Sequence, residues 1–206
     1  MSEPGNSLTP AVSVRPTPPT PTEDQMSSAN RKHETASATT SKREIHRRLR
    51  GMMKQVERLK KAGVGLSTDS YRRLLKYGEF FVDVAAVKTD PVVHAHVRRY
   101  RPKPKECFYN CQKFVVLDGT DHATYYEGFV TDVAGRLTHH GWLVVNGVVI
   151  DPTLEAAVRK AKRWGINFDP PTARQYYGVP FTAFDAMLKM ADGICRPLLD
   201  GMFHTL

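Results

Sequence analysis

The sequence predicts an α+β domain behind an unstructured head, and three observations carry that reading. Apolar residues recur at helical spacing in several capped segments after Ser41. An Asn146-Gly147 pair separates two β-rich runs, the strongest short-range signal for a hairpin. The 206 residues, 41% of them hydrophobic, suffice for one domain with a sizeable core and fall short of two.

Six of the 14 prolines fall within residues 1–21, and the next is Pro91. Residues 1–41 otherwise hold mainly small and polar side chains. Ordering them would bury too little surface to offset the entropy lost. They read as a disordered tail ahead of a single domain over 42–206, with an arm docked on a partner as the alternative. No apolar stretch approaches the roughly 18 residues of a membrane helix, and the N-terminus lacks the basic and apolar regions of a secretory signal. Three cysteines are too few for a disulfide scaffold, so an intracellular, cytoplasmic setting is expected. No phosphate loop or dinucleotide fingerprint is present, and no cofactor is expected.

Lys and Arg number 30 against 21 acidic residues, a net charge of +9. Most of it sits in one segment. Between Lys42 and Lys61 there are nine basic and two acidic residues, a local charge of +7. Ile45, Leu49, Met52, Val56 and Leu59 recur there in steps of four and three, which predicts a basic amphipathic helix over 42–62. Its charged face is either simply solvated or a contact for nucleic acid or an acidic protein, with Arg43, Arg47, Arg48, Arg50 and Lys54 as candidate residues.

Ser67-Thr68-Asp69-Ser70 offers N-cap residues for a second helix, expected to run through Tyr71, Leu74, Leu75, Phe81 and Val84. Asp90-Pro91 opens a third. His94 and His96 lie on it two residues apart, on different faces, and read as packing or surface residues rather than a metal pair.

Residues 102–153 carry the chemistry. After Pro102 and Pro104 a helix begins at Lys105-Glu106-Cys107, with Phe108, Cys111, Phe114 and Val115 on its apolar face. Cys107 thus falls in the first turn, where the helix dipole and free N–H groups favour a thiolate nucleophile. Thr124–Val130 reads as a strand, and His140–Val145 and Val148–Asp151 as the hairpin around Asn146-Gly147. A two-residue turn pairs 145 with 148 and 142 with 151, so His140 and Asp151 project from one face as diagonal neighbours. A thiol, an imidazole and a carboxylate in this order are what nucleophilic catalysis requires. A buried, inert Cys107 and a zinc site using Cys107, Cys111, His139 and His140 are the other readings.

The segment resembles the transglutaminase-like group within the papain-like cysteine enzymes. The resemblance rests on Cys107 at a helix start, Tyr126-Glu127-Gly128-Phe129, His140-Gly141-Trp142 and Asp151-Pro152-Thr153, and covers about 50 residues. It implies a helix-borne Cys packed on an antiparallel sheet carrying His and Asp. It also implies acyl transfer to amines, amide or peptide hydrolysis, or glutamine deamidation, on a protein, peptide or amide substrate. No Asn or Gln lies between Val56 and Glu106 to supply the oxyanion donor of the papain type. The Cys107 N–H and Trp142 are the candidates left.

Downstream, Thr153 is expected to cap a helix through Leu154, Ala157, Ala161 and Trp164, and Tyr176–Phe181 to form a strand. Thr182 and Asp185 then form a capping box for a last helix bearing Phe184, Met187, Leu188 and Ala191. The expected activity is that of a cysteine-dependent acyl-transfer enzyme. The alternative is a non-catalytic basic binding protein on the same scaffold.

Overall fold

The computed structural model describes residues 41–63, 67–82, 84–118, 122–131, 135–167, 174–191 and 197–199. Residues 1–40 of the expected tail lie outside them, as do Asp169-Pro170-Pro171, where the sequence predicts a turn, and Cys195. The described chain is a mixed α+β structure. Helix α1 spans Lys42–Lys61 and α2 Asp69–Tyr77, followed by strands β1, Glu79–Phe81, and β2, Val84–Ala85. A 3-10 turn at Val87–Thr89 leads into α3, Pro91–Tyr100, and α4, Cys107–Asp118. Strands β3, Thr124–Thr131, β4, Leu137–Val145, and β5, Val148–Ile150, come next. Helix α5, Pro152–Arg163, strand β6, Tyr176–Phe181, and helix α6, Ala183–Ala191, complete it.

Helix α1 forms where the periodicity places it. Ser41 caps it by accepting from the Glu44 N–H, and Ile45, Leu49, Met52 and Val56 are buried along one stripe. Burying each of these side chains contributes about 1.5–3 kcal/mol. Asp90 caps α3 through the Val93 N–H, and Thr182 and Asp185 bond reciprocally at the start of α6, as the capping-box reading expects.

The six strands form one sheet in the order β1-β6-β3-β4-β5-β2. The Asn146-Gly147 hairpin has the expected register, Val145 opposite Val148 and Leu143 opposite Ile150. Side chains of β3 alternate between two cores. Tyr125 and Phe129 face the helices with Leu49, Phe114 and Val115, while Tyr126 and Val130 face a smaller cluster with Trp142, Val144 and Tyr176.

Four expectations are corrected. Helix α2 ends at Tyr77, and Phe81 and Val84 belong to strands, because β1 finds a partner in β6 and β2 one in β5. That tertiary pairing overrides the helical spacing. The sheet is mixed, since β2 runs parallel to β5. Helix α5 is capped by Asp151, not Thr153, so the ladder stops at Ile150 and the 142–151 pair does not form. On α6, Phe184, Met187 and Leu188 point to solvent, and Ala186 makes the buried contact.

Candidate active site

Cys107 is the first residue of α4 and is buried, with one turn further on Cys111 fully enclosed. The helix approaches β4 closely at Gly141. A Cβ there would lie 3.1 Å from both the Phe108 and Tyr125 rings, and the Cys111 thiol donates to the Gly141 carbonyl at 3.5 Å. This contact brings the start of α4 beside His140, the next residue back along the strand. The Cys107 thiol lies within hydrogen-bonding reach of the His140 ring.

On its other side His140 meets Asp151. The Nε2–Oδ2 distance is 2.7 Å, and the two side chains are 12% and 1% exposed. Asp151 reaches this position by leaving the hairpin rather than by continuing it. Its Oδ1 accepts from the Thr153 and Leu154 N–H groups at 3.1 and 2.9 Å, which makes it the N-cap of α5. Its Oδ2 serves His140 and also accepts from the Tyr176 hydroxyl at 3.0 Å. Every lone pair of the carboxylate thus has a use, which is what a buried charge requires.

The electrostatics follow. Burial disfavours the charged imidazole, but the Asp151 carboxylate outweighs it by charge and hydrogen bond, with a further contribution from Cys107. His140 is raised to about 10. Burial also pushes the Asp151 carboxyl upward, and the His140 charge, the Leu154 N–H and Tyr176 pull it below the ordinary carboxylate range. At neutral pH this is an imidazolium held against a carboxylate.

Trp142 lies two residues along β4, on the same face as His140. The rings stack at 6.5 Å with an interplanar angle of 16°, and Trp142 in turn contacts Tyr126 and Tyr176. Its indole N–H is buried with no hydrogen-bond partner among the described residues. Fully enclosed, it forms the floor under the imidazole and does not line an open cleft, so it offers no donor to a substrate oxygen in this arrangement. The Cys107 backbone N–H, at a helix start, has no such obstruction from helix bonding.

Three residues have a part here that sequence reasoning missed. Tyr176 reaches Asp151 from a strand 25 positions away. Asn110, one turn after Cys107, donates to Thr153 Oγ1 at 2.8 Å and brackets Lys103, accepting from its N–H and donating to its carbonyl. It fixes the loop before α4 to the corner after Asp151. Glu127 is fully buried on the opposite sheet face, accepting from the Tyr125 hydroxyl and from the Leu198 and Leu199 N–H groups at 2.8 and 2.9 Å. Only Glu127 carried a signal, as a lone acid inside an aromatic strand.

The remaining sequence candidates are dispersed. His139 points away from His140, packing on Phe108 and Phe129. Among the described residues no group of three or more Cys, His, Asp or Glu side chains is arranged to hold a metal ion, the Cys107, Cys111, His139 and His140 set included. His96 packs between Tyr100 and Phe114. On α1, Arg47 is forked onto Glu44, and Arg48 bonds Glu44 and the Gly135 carbonyl. Arg43, Arg50 and Lys54 are exposed, with no ion pair among the described residues. No described helix is long and apolar enough to cross a membrane.

No protein-family model, curated protein or solved structure matches this chain.

Proposed function

We propose that this protein is a cysteine-dependent acyl-transfer enzyme acting on amide or peptide bonds, on a papain-like, transglutaminase-like core. One observation carries the reading: His140 stands between a buried, fully hydrogen-bonded Asp151 and the Cys107 thiol at a helix start. In the reaction the Cys107 sulfur attacks the carbonyl carbon and the C–N bond breaks. His140 gives its proton to the departing amine, leaving an acyl-thioester on Cys107. Water, losing a proton to His140, then releases the acid and regenerates the thiol; an amine in its place completes a transfer. Asp151 holds the imidazole in one orientation throughout.

Alkylation of each cysteine by iodoacetamide, read by peptide mass spectrometry, tests this. Cys107 should react at about pH 6.5 at least about tenfold faster than Cys195. That lead should vanish in His140→Ala and shrink in Asp151→Asn. A Cys107 no faster than Cys195 would remove the enzyme reading.

The exposed Arg43, Arg50 and Lys54 favour a second reading, a basic surface that contacts nucleic acid or an acidic protein. Such binding should weaken steeply with salt, whereas thiol alkylation should not.

A further inference from the structure

Beside the candidate active site, α3 and α4 enclose a cavity of about 170 Å³ that the chemistry above does not use. Its walls include Tyr100, Arg101, Lys103, Tyr109, Asn110 and Lys113. Lys113 lies over two tyrosine rings, 5.0 Å from Tyr100 and 5.5 Å from Tyr109, and no carboxylate pairs with it or with Arg101 among the described residues. Aromatic rings hold an ammonium in place without neutralising it. The loop that supplies Arg101 and Lys103 is stiffened by Pro102 and pinned at Lys103 by both ends of the Asn110 amide. Five of the eight residues in the run 98–105 are cations, Arg98, Arg99, Arg101, Lys103 and Lys105, interleaved with Tyr100, Pro102 and Pro104. Glu106, just after the run, lies 3.6 Å from Lys103, and at the other end of the cavity the buried Asp118 carboxylate lies 3.6 Å from His96, which also lines it.

The position of this cavity matters as much as its charge. Asn110 lies three residues after Cys107 on α4, a rise of about 4.5 Å. Pro152, which also lines the cavity, directly follows Asp151. A chain whose amide reached Cys107 would therefore have a neighbouring side chain at the cavity mouth. The volume suits one side chain and is below that of a cofactor site. It is a cavity and not a long groove that could track a polynucleotide backbone.

We propose that this cavity is a specificity site for an acidic side chain, so that the enzyme's substrate is a peptide or protein segment with a carboxylate next to the amide that Cys107 attacks. Lys113 and Arg101 supply the charge, and Tyr100 and Tyr109 cover the aliphatic part of the bound side chain. The inference rests on the cysteine-enzyme reading for the word substrate, but binding at the cavity can be measured without turnover.

The test uses the full chain carrying Cys107→Ser, titrated into fluorescein-labelled hexaglutamate and hexaglutamine peptides and followed by anisotropy. Hexaglutamate should bind and hexaglutamine should not. Lys113→Gln and Arg101→Gln should each weaken hexaglutamate at least about tenfold, as expected for a charge-assisted contact. Arg43→Gln and Arg50→Gln on α1 should leave it within about twofold. Equal losses from the α1 variants, equal binding of the two peptides, or pocket dependence shown only by a single-stranded oligonucleotide would each overturn the proposal. Cys107 alkylation reports separately on the enzyme reading. A chain that fails alkylation but binds hexaglutamate through Lys113 keeps the site and loses the chemistry, and the converse result does the opposite.

Discussion

Gly128 and Gly178 stand opposite each other across the β3–β6 ladder, and neither has room for a side chain. A Cβ on Gly128 would lie 2.1 Å from the Tyr177 carbonyl oxygen, and one on Gly178 would lie 2.4 Å from the Trp142 ring. Gly128 is also the β4 partner of His140, so His140, Gly128 and Gly178 form one row across three strands. The bare backbone is what lets Trp142 lie flat under the imidazole.

Gly128→Ala should therefore destabilise the protein by about 1–3 kcal/mol, the cost of overpacking a tight site. Gly51, inside α1, has nothing within 4 Å of its virtual Cβ. Gly51→Ala should stabilise by about 0.5–1 kcal/mol through helix propensity. Thermal melts followed by circular dichroism distinguish the two, and matching midpoints would contradict the packing described.

Asp151 can be dissected by two substitutions. Asn keeps a good cap for α5 but loses the charge facing His140, whereas Ala loses both. Asp151→Ala should be less stable than Asp151→Asn by about 0.5–2 kcal/mol in urea titrations, while both slow Cys107 alkylation. Identical stabilities would show that the cap is not contributing.

The raised His140 makes stability depend on pH in a defined direction. The folded state holds the proton up to about pH 10, and the unfolded chain releases it near the ordinary histidine value of about 6.5. The stabilisation is thus complete below about pH 6.5 and is lost as pH rises toward 10, with a slope of at most about 1.4 kcal/mol per pH unit. Asp151, held low, acts oppositely, and its contribution is lost as pH falls through its folded value. Urea midpoints across pH 6 to 10 should decline more steeply for the wild type than for His140→Gln. Parallel curves would dissociate the imidazole from folding.

Asn110→Ala removes three hydrogen bonds at once and should cost about 1–3 kcal/mol. Amide hydrogen exchange at Lys103 should accelerate with it. An unchanged exchange rate would mean that Asn110 does not hold the loop.

Glu127→Gln should loosen the segment at Leu198 and Leu199. The amide presents a donor where the carboxylate accepted from two N–H groups, so exchange at those two amides should rise while the β3–β4 amides stay protected. Equal protection in both proteins would argue that other contacts retain the segment.

Local signals reached most of the fold. The helix starts at Asp90 and Thr182, the stripe on α1 and the Asn146-Gly147 turn depend on neighbours a few residues apart, and the sequence displays all of them. The contact of His140 with Asp151 also followed from the hairpin. Its route did not, because Asp151 had to be recognised as a helix cap and Pro152 as its first residue. Phe81 and Val84 read as helical in the sequence because their strand partners, Tyr176 and Val149, lie far along the chain. Tyr176 at Asp151 and Glu127 at Leu198 escaped for the same reason: each depends on distant segments meeting.

Asp151 serves α5 and His140 together, and this bears on how the protein can change over time. A descendant that no longer uses the His140 contact still needs an acceptor at the start of α5, so selection for folding preserves Asp or Asn at 151. The Cys107 thiol caps no helix among the described residues, and its described polar contact is with the His140 ring, so drift to Ser or Ala leaves the α5 cap in place. On the proposed chemistry, position 107 and not 151 is the marker that separates descendants that keep the thiol reaction from those that have lost it.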